Sequence, residues 1–329
     1  MKILVTGVAQ HDLDTLIPAL TKAGHDIETT SDMLSLQTVQ RAQGFEAVVT
    51  FVCDDLSAAV INALAAAGVK LIAQRAAGVD NIDLAAAHQA GIQIARIPAY
   101  SPYAVAEQAV ALLLSLNRHI PHAYQRVLHG NFSLQGLRGF DLHGKTVLVV
   151  GTGRIGQAFT RIMQGFGCVV LAYDPAMPVA HRIPQIEYID ELADGIARAR
   201  IISLHCPLLP ETRHIINAAM LENCHPDTIL INTSRGAVVD TAAVLAALKQ
   251  GHLAAYGADV YENESCLFFR DCSITGYEDT LLKELLTLPN VLLTPHQAFF
   301  TIEALEAIAA ATVQNLTDYS AGRRSGNFL

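Results

Sequence analysis

Short apolar runs of four to six residues alternate along this chain with stretches in which apolar positions recur every three or four residues. K-I-L-V-T at 2 to 6, A-V-V-T-F at 47 to 51 and L-I-A-Q-R at 71 to 75 read as strands, with helices around 11 to 23 and 56 to 67 between them. Strand and helix in that order make an open parallel sheet. R-I-P-A-Y-S-P at 96 to 102 breaks the alternation and reads as a connection. A long helix follows, with Ser101 as N-cap, Pro102 at its first position and apolar residues at Ala109, Leu112, Leu113 and Leu116. After a loop holding Gly130, Gly136 and Gly139 the alternation restarts at K-T-V-L-V-V, 145 to 150. It continues through C-V-V-L-A-Y (168 to 173), I-I-S-L-H (201 to 205), T-I-L-I-N-T (228 to 233), A-A-Y-G-A-D (254 to 259) and V-L-L-T-P (291 to 295). A last helix runs from Thr301 to about Tyr319. The pattern predicts an α/β protein of two doubly wound parallel-sheet units.

Length and composition agree with that pattern and narrow it. At 329 residues the chain exceeds what one core usually supports. Apolar residues make up 51% and charged ones 16%, against roughly 25% charged in average soluble domains, as expected of strands buried on both faces. With 22 basic and 31 acidic residues the net charge is −9, and no basic run offers a nucleic-acid footprint. Cys53, Cys168, Cys206, Cys224, Cys266 and Cys272 are scattered without a C-x-x-C pair, which argues against a zinc site or a disulfide framework and for reduced thiols in a cytosol. No metal site is expected. M-K-I-L-V-T-G shows no secretory pattern, and A-V-A-L-L-L-S-L at 109 to 116 falls short of the roughly 20 residues of a membrane span, so no membrane role is expected.

The second unit opens with V-L-V-V-G-T-G-R-I-G, which sets Gly151, Gly153 and Gly156 in G-x-G-x-x-G spacing directly after a buried strand. The first glycine permits a tight turn, the second lets a pyrophosphate approach the backbone, and the third lets helix and strand pack closely. Ile155, Phe159, Ile162, Met163 and Phe166 share one face of the helix that follows, and Gly167 is its stop. The start of that helix presents free N–H groups and partial positive charge to phosphates. Asp174 ends the next strand, 18 residues after Gly156, where a carboxylate is expected on the ribose hydroxyls. The acid repels a 2′-phosphate and no arginine directly follows it, so NAD is favoured over NADP.

Ligands of open parallel sheets bind beyond the carboxyl ends of the strands. Those ends in the second unit offer His205-Cys206-Pro207, Thr233-Ser234-Arg235, Asp259 with the loop through Glu264, and Pro295-His296. Each charged residue also has an ordinary reading: Arg235 as surface charge, His296 as a satisfied loop histidine, Glu264 as a solvated acid. Together on the rim of a nucleotide-binding sheet they describe reduction of a 2-keto acid. A histidine supplies the proton, a carboxylate stabilises its imidazolium, and an arginine fork grips the acid group.

At these residues the sequence resembles the D-isomer-specific 2-hydroxyacid dehydrogenases and, within them, the fermentative D-lactate dehydrogenases. The resemblance spans nearly the whole chain. It is carried by R-A-A-G-V-D-N-I-D (75 to 83), P-A-Y-S-P (98 to 102), G-T-G-R-I-G (151 to 156), N-T-S-R-G (232 to 236), D-V-Y-E-N-E with L-F-F after it (259 to 269) and T-P-H-Q-A-F (294 to 299). It implies Arg235 as the substrate-orienting residue, His296 as acid-base and Glu264 as its partner, with Glu262 left as a solvated acid. The amides of Gly78 and Val79 would receive the substrate carboxylate and Tyr100 would line the pocket, with Phe51 and Phe299 shaping its apolar end. For NAD (NADH) it implies Arg154 and Ile155 at the pyrophosphate and Cys206, Pro207 and Thr212 along the adenosine side. Thr233, Ser234, Arg235, Asp259 and His296 would stand towards the nicotinamide.

The family fold further implies a flavodoxin-like substrate-binding domain of residues 1 to 99 plus 298 to 329, and a Rossmann NAD-binding domain of 100 to 297, with an interdomain cleft that closes on substrate. A cytoplasmic homodimer or homotetramer pairing through the helix at 101 to 119 is implied as well, with pyruvate as the keto acid. Two alternatives stay open: a dehydrogenase for a longer acid such as hydroxyisocaproate or phenyllactate, and an NAD-sensing co-repressor of similar fold.

Overall fold

In the computed structural model, which describes residues 1 to 264 and 267 to 329, the chain divides into two compact units: residues 1 to 101 with 300 to 329, and residues 102 to 299. Among the sequence features above, Cys266 lies outside the described residues.

The first unit is built on β1 (Lys2–Val5), β2 (Asp26–Thr29), β3 (Ala47–Thr50), β4 (Leu71–Gln74) and β5 (Gln93–Ala95), all parallel in the order β2-β1-β3-β4-β5. Its helices are α1 (Gln10–Asp14), α2 (Leu16–Lys22), α3 (Ala58–Ala66) and α4 (Leu84–Ala90), joined by the last helix of the chain. Successive strand residues face opposite sides. Leu4, Val48 and Ile72 therefore pack with Val60, Ile61 and Leu64 of α3, while Ile3, Val49 and Leu71 pack with Leu16, Leu20, Ala309 and Leu316 on the other side.

The second unit holds α5 (Pro102–Asn117), α6 (Ile120–Leu128), β6 (Thr146–Val150), α7 (Arg154–Gly165), β7 (Val169–Tyr173), β8 (Glu187–Tyr188), α8 (Leu192–Arg198) and β9 (Ile201–Leu204). It goes on through α9 (Ala218–Glu222), β10 (Ile229–Asn232), α10 (Thr241–Gln250), β11 (Ala255–Ala258), α11 (Thr280–Leu286) and β12 (Val291–Leu293). The sheet is parallel throughout, in the order β12-β11-β10-β9-β6-β7-β8. Val147 and Val149 face Leu112 and Leu113 of α5 and Phe159 and Met163 of α7, whereas Leu148 and Val150 face Leu192, Ile196 and Val244. The closing helix, α12 (Ile302–Ser320), starts at Thr301, whose side chain accepts from the Ala304 amide. Among the described residues no helix is long and apolar enough to cross a membrane.

Three expectations are corrected. The helix around 11 to 23 is two helices, because the ring of Pro18 excludes the carbonyl of Asp14 from a continuous ladder and the chain breaks at Thr15. The edge strands β2, β5 and β8 were absent from the apolar pattern; β2 is D-I-E-T with mostly exposed side chains, and β8 is only two residues long. Phe166, expected within α7 on the same face as Phe159 and Met163, is its C-cap, one residue beyond the helix, and is 37% exposed.

Candidate active site

Gly151 turns the chain out of β6 with φ of 90°, a left-handed value natural to glycine. A Cβ there would lie 2.8 Å from the Cys206 amide nitrogen and 2.9 Å from the His205 carbonyl carbon, so the turn rests directly on the end of β9. The sheet order reverses between β6 and β9, and a crevice for a ligand opens at such a point. A Cβ at Gly156 would strike the Gly151 carbonyl oxygen at 2.0 Å, which explains how closely α7 packs, while at Gly153 it would meet nothing within 4 Å. No side chain caps α7 at Gly153, so the first-turn amides, among them those of Arg154 and Ile155, stand ready for an anion.

Asp174 follows β7, and its Oδ2 accepts from the Thr152 amide at 2.6 Å and the Thr152 hydroxyl at 2.9 Å. Among the described residues its Oδ1 has no partner, which leaves it for a ribose hydroxyl. The Thr233 hydroxyl is buried without a hydrogen-bond partner among the described residues, which leaves it open to a polar atom of a ligand. These features fit a dinucleotide. After β9, Thr212 closes the loop: its hydroxyl donates to the Pro207 carbonyl at 2.6 Å and accepts from the Leu209 amide at 2.7 Å. Burial pushes the Cys206 thiol up to about 11, so it stays neutral, and pushes His205 down to about 3. His205 Nε2 meets the Ser203 hydroxyl at 2.9 Å, and its ring lies 4.9 Å from that of Phe159.

The catalytic candidates meet through backbone packing. Asn232, buried at the end of β10, folds the segment after it: its Oδ1 accepts from the Ser234 amide and hydroxyl at 3.0 and 2.8 Å, and its Nδ2 donates to the Arg235 carbonyl at 3.0 Å. A Cβ on Gly236 would lie 2.2 Å from the Tyr261 carbonyl carbon and 2.4 Å from the Glu262 nitrogen. The segments of Arg235 and Glu264 therefore touch main chain to main chain, which only glycine allows. Glu264 Oε2 accepts from the Tyr261 amide at 2.8 Å, and Oε1 lies 2.8 Å from Nδ1 of His296.

His296 adopts φ of 56°, a left-handed conformation that costs a non-glycine residue about 1 to 3 kcal/mol and persists where its surroundings enforce it. Here Asp259 enforces it. Fully buried at the end of β11, its carboxylate accepts from the Thr294 hydroxyl at 2.5 Å and from the amides of Gln297 and Ala298 at 3.0 and 2.7 Å. Burial holds its pKa above the ordinary carboxylate range, and those hydrogen bonds counter the shift in part. The ring of Phe269 lies 5.8 Å from His296 and 6.3 Å from Phe299.

Glu262 is not the solvated acid expected. Its Oε1 meets His214 Nε2 at 2.5 Å, its Oε2 accepts from the Thr241 hydroxyl at 3.3 Å, and its side chain is 19% exposed. Sequence reasoning also missed Asn232, Phe269 and Thr152. The N in N-T-S-R-G, directly after an apolar run, was the available signal for Asn232.

In the first unit, Gly78 and Val79 sit in the loop after β4, and among the described residues neither amide has an acceptor. Asn81 ties that loop to the one after β3, donating to the Asp54 carbonyl at 3.0 Å. Phe51 packs under the buried Arg75 guanidinium, 4.7 Å from its ring centre, and its amide donates to Asp54 at 2.6 Å. Tyr100 is half-buried.

Residues 110 to 298 match the model of the D-isomer specific 2-hydroxyacid dehydrogenase, NAD binding domain. The chain is 44% identical over 329 residues to the D-lactate dehydrogenase of Escherichia coli (strain K12), covering 100% of both. Its structure is similar to that of the pyruvate reductase of Chlamydomonas reinhardtii, with a TM-score of 0.93 at 43% identity over 99% of this chain and 98% of that one. It is also similar to D-2-hydroxyisocaproate dehydrogenase, with a TM-score of 0.88 at 33% identity, covering 100% and 99%.

Proposed function

This chain belongs to the D-isomer-specific 2-hydroxyacid dehydrogenases, NAD-dependent enzymes, and on that premise we propose that it reduces pyruvate to D-lactate. The observation that carries the reading is the 2.8 Å pair of His296 Nδ1 and Glu264 Oε1. With Nδ1 engaged, Nε2 is the atom that gives its proton to the alkoxide forming at C2, and the carboxylate favours the imidazolium needed for that step. Bound NADH supplies the hydride. The Arg235 fork holds the keto acid and polarises it, and the amides of Gly78 and Val79, without an acceptor among the described residues, receive its carboxylate. Tyr100, Phe51 and Phe299 are assigned to the methyl end of the substrate. Identities of 44% to the D-lactate dehydrogenase of Escherichia coli and 43% to the pyruvate reductase of Chlamydomonas reinhardtii, each over nearly the whole chain, support the short substrate.

Substrate binding is assigned to residues 1 to 99 with 298 to 329, and NAD binding to 100 to 297. Of the NAD-side residues, Arg154, Ile155, Asp174, Thr233 and Ser234 would hold the dinucleotide, Cys206, Pro207 and Thr212 would flank its adenosine half, and Asp259 would support the nicotinamide end by fixing the His296 turn. The enzyme works in the cytoplasm, in fermentation, as a homodimer or homotetramer paired through the NAD-binding units. Directly after the helix at 101 to 119 assigned to that pairing, α6 buries no residue within its own unit and exposes Ile120, Tyr124, Val127 and Leu128, an apolar surface suited to extend the contact with a second copy.

Replacing His296 by Ala should lower kcat by about 10² to 10⁴ while leaving NADH binding unchanged in calorimetric titration. Retained turnover in that variant would refute the assignment.

A further inference from the structure

Beside the glycine turn of the second unit, four groups form a single directed chain of hydrogen bonds. The Ile183 amide donates to the Tyr188 hydroxyl at 3.1 Å, which donates to the Thr152 hydroxyl at 3.2 Å, which donates to Asp174 Oδ2 at 2.9 Å. The direction is forced at both ends: an amide can only donate, and a carboxylate only accepts. Each hydroxyl thus points its proton towards the negative charge, the arrangement in which successive bonds reinforce one another. The Arg182 guanidinium lies 4.6 Å from the Tyr188 ring centre, closing the far side of the tyrosine. Thr152 is fully buried, so its hydroxyl has no water with which to replace Tyr188.

We propose that Tyr188, acting through Thr152, is a positioning residue for cofactor selectivity: it fixes the Asp174 carboxylate so that Oδ1 accepts from the adenosine ribose and discriminates against a 2′-phosphate. The proposal rests on the reading of Asp174 as the ribose acid. Tyr188 comes from β8, a strand paired to β7 through Ala172, and so binds the adenosine-side loop to the glycine turn that Asp174 faces. Without the Tyr188 hydroxyl, Thr152 is free to turn its own proton elsewhere, and the carboxylate keeps its charge and its bond from the Thr152 amide but loses the second of the two bonds that fix its aim. NADH binding then weakens, while NADPH, repelled by the charge in either case, changes little.

Calorimetric titration of the full-length protein with NADH and with NADPH separates the two ideas. In the wild type, NADH should bind much more tightly than NADPH; equal affinities would overturn the ribose assignment of Asp174 itself. In Tyr188→Phe, which keeps the ring against Arg182, Kd for NADH should rise about fivefold, the usual worth of one neutral hydrogen bond, and Kd for NADPH should change less than twofold. In Thr152→Val, adding Tyr188→Phe should have no further effect, because the tyrosine works only through that hydroxyl. An unchanged NADH affinity in Tyr188→Phe, an equal weakening for both cofactors, or additive losses in the double variant would overturn the proposal.

Discussion

Nδ1 of His296 lies 2.8 Å from Oε1 of Glu264, whose other oxygen is held at 2.8 Å by the Tyr261 amide. The carboxylate is thus anchored to its own turn before it meets the imidazole. This leaves Nε2 as the ring nitrogen free for substrate, and it holds a carboxylate against the other side of the imidazole.

Glu264→Gln keeps a hydrogen-bonding group but removes the charge held against the His296 ring, so kcat should fall by about 10-fold or more, the worth of a charge-assisted hydrogen bond. Glu262→Gln should leave kcat unchanged, because Glu262 is committed to His214. Steady-state kinetics of the two variants at saturating NADH check both statements.

Arg235→Lys should raise KM for the keto acid by about 10- to 100-fold, the loss of a charge-assisted bond, with some decrease in kcat because a point charge cannot reproduce a planar fork. Steady-state kinetics at saturating NADH would show it.

His205 is pushed by burial from an ordinary value of 6.5 to about 3. Between those values the unfolded chain binds a proton that the folded chain does not, so stability rises with pH across the window. The contribution is fully present above 6.5 and is lost as pH falls towards 3. Going from pH 7 to pH 5 should remove about 2 kcal/mol. Urea unfolding of wild type and His205→Asn at both pH values tests this, since the variant should lack that increment of acid sensitivity.

Much of this was legible in the chain because a parallel sheet gathers its chemistry at strand ends, and apolar runs mark those ends. Arg235, Glu264 and His296 each follow such a run, and the glycine spacing after V-L-V-V marked the turn at Gly151. What escaped depends on partners distant in sequence or on strands without apolar signal. Glu262 looked solvated because His214, 48 positions earlier, shows no sign in sequence of facing it. Tyr188 lies on a two-residue edge strand with a polar neighbour. Asp259 stood out as a carboxylate at a strand end, but its bonds to the Gln297 and Ala298 amides belong to tertiary structure alone.

The central claim, reduction of pyruvate, is tested most directly by following NADH absorbance with pyruvate, oxaloacetate, phenylpyruvate and 2-ketoisocaproate, and by determining the configuration of the product. Pyruvate should give the highest kcat/KM and yield D-lactate. A preference for phenylpyruvate or 2-ketoisocaproate, or negligible turnover on all four, would contradict it.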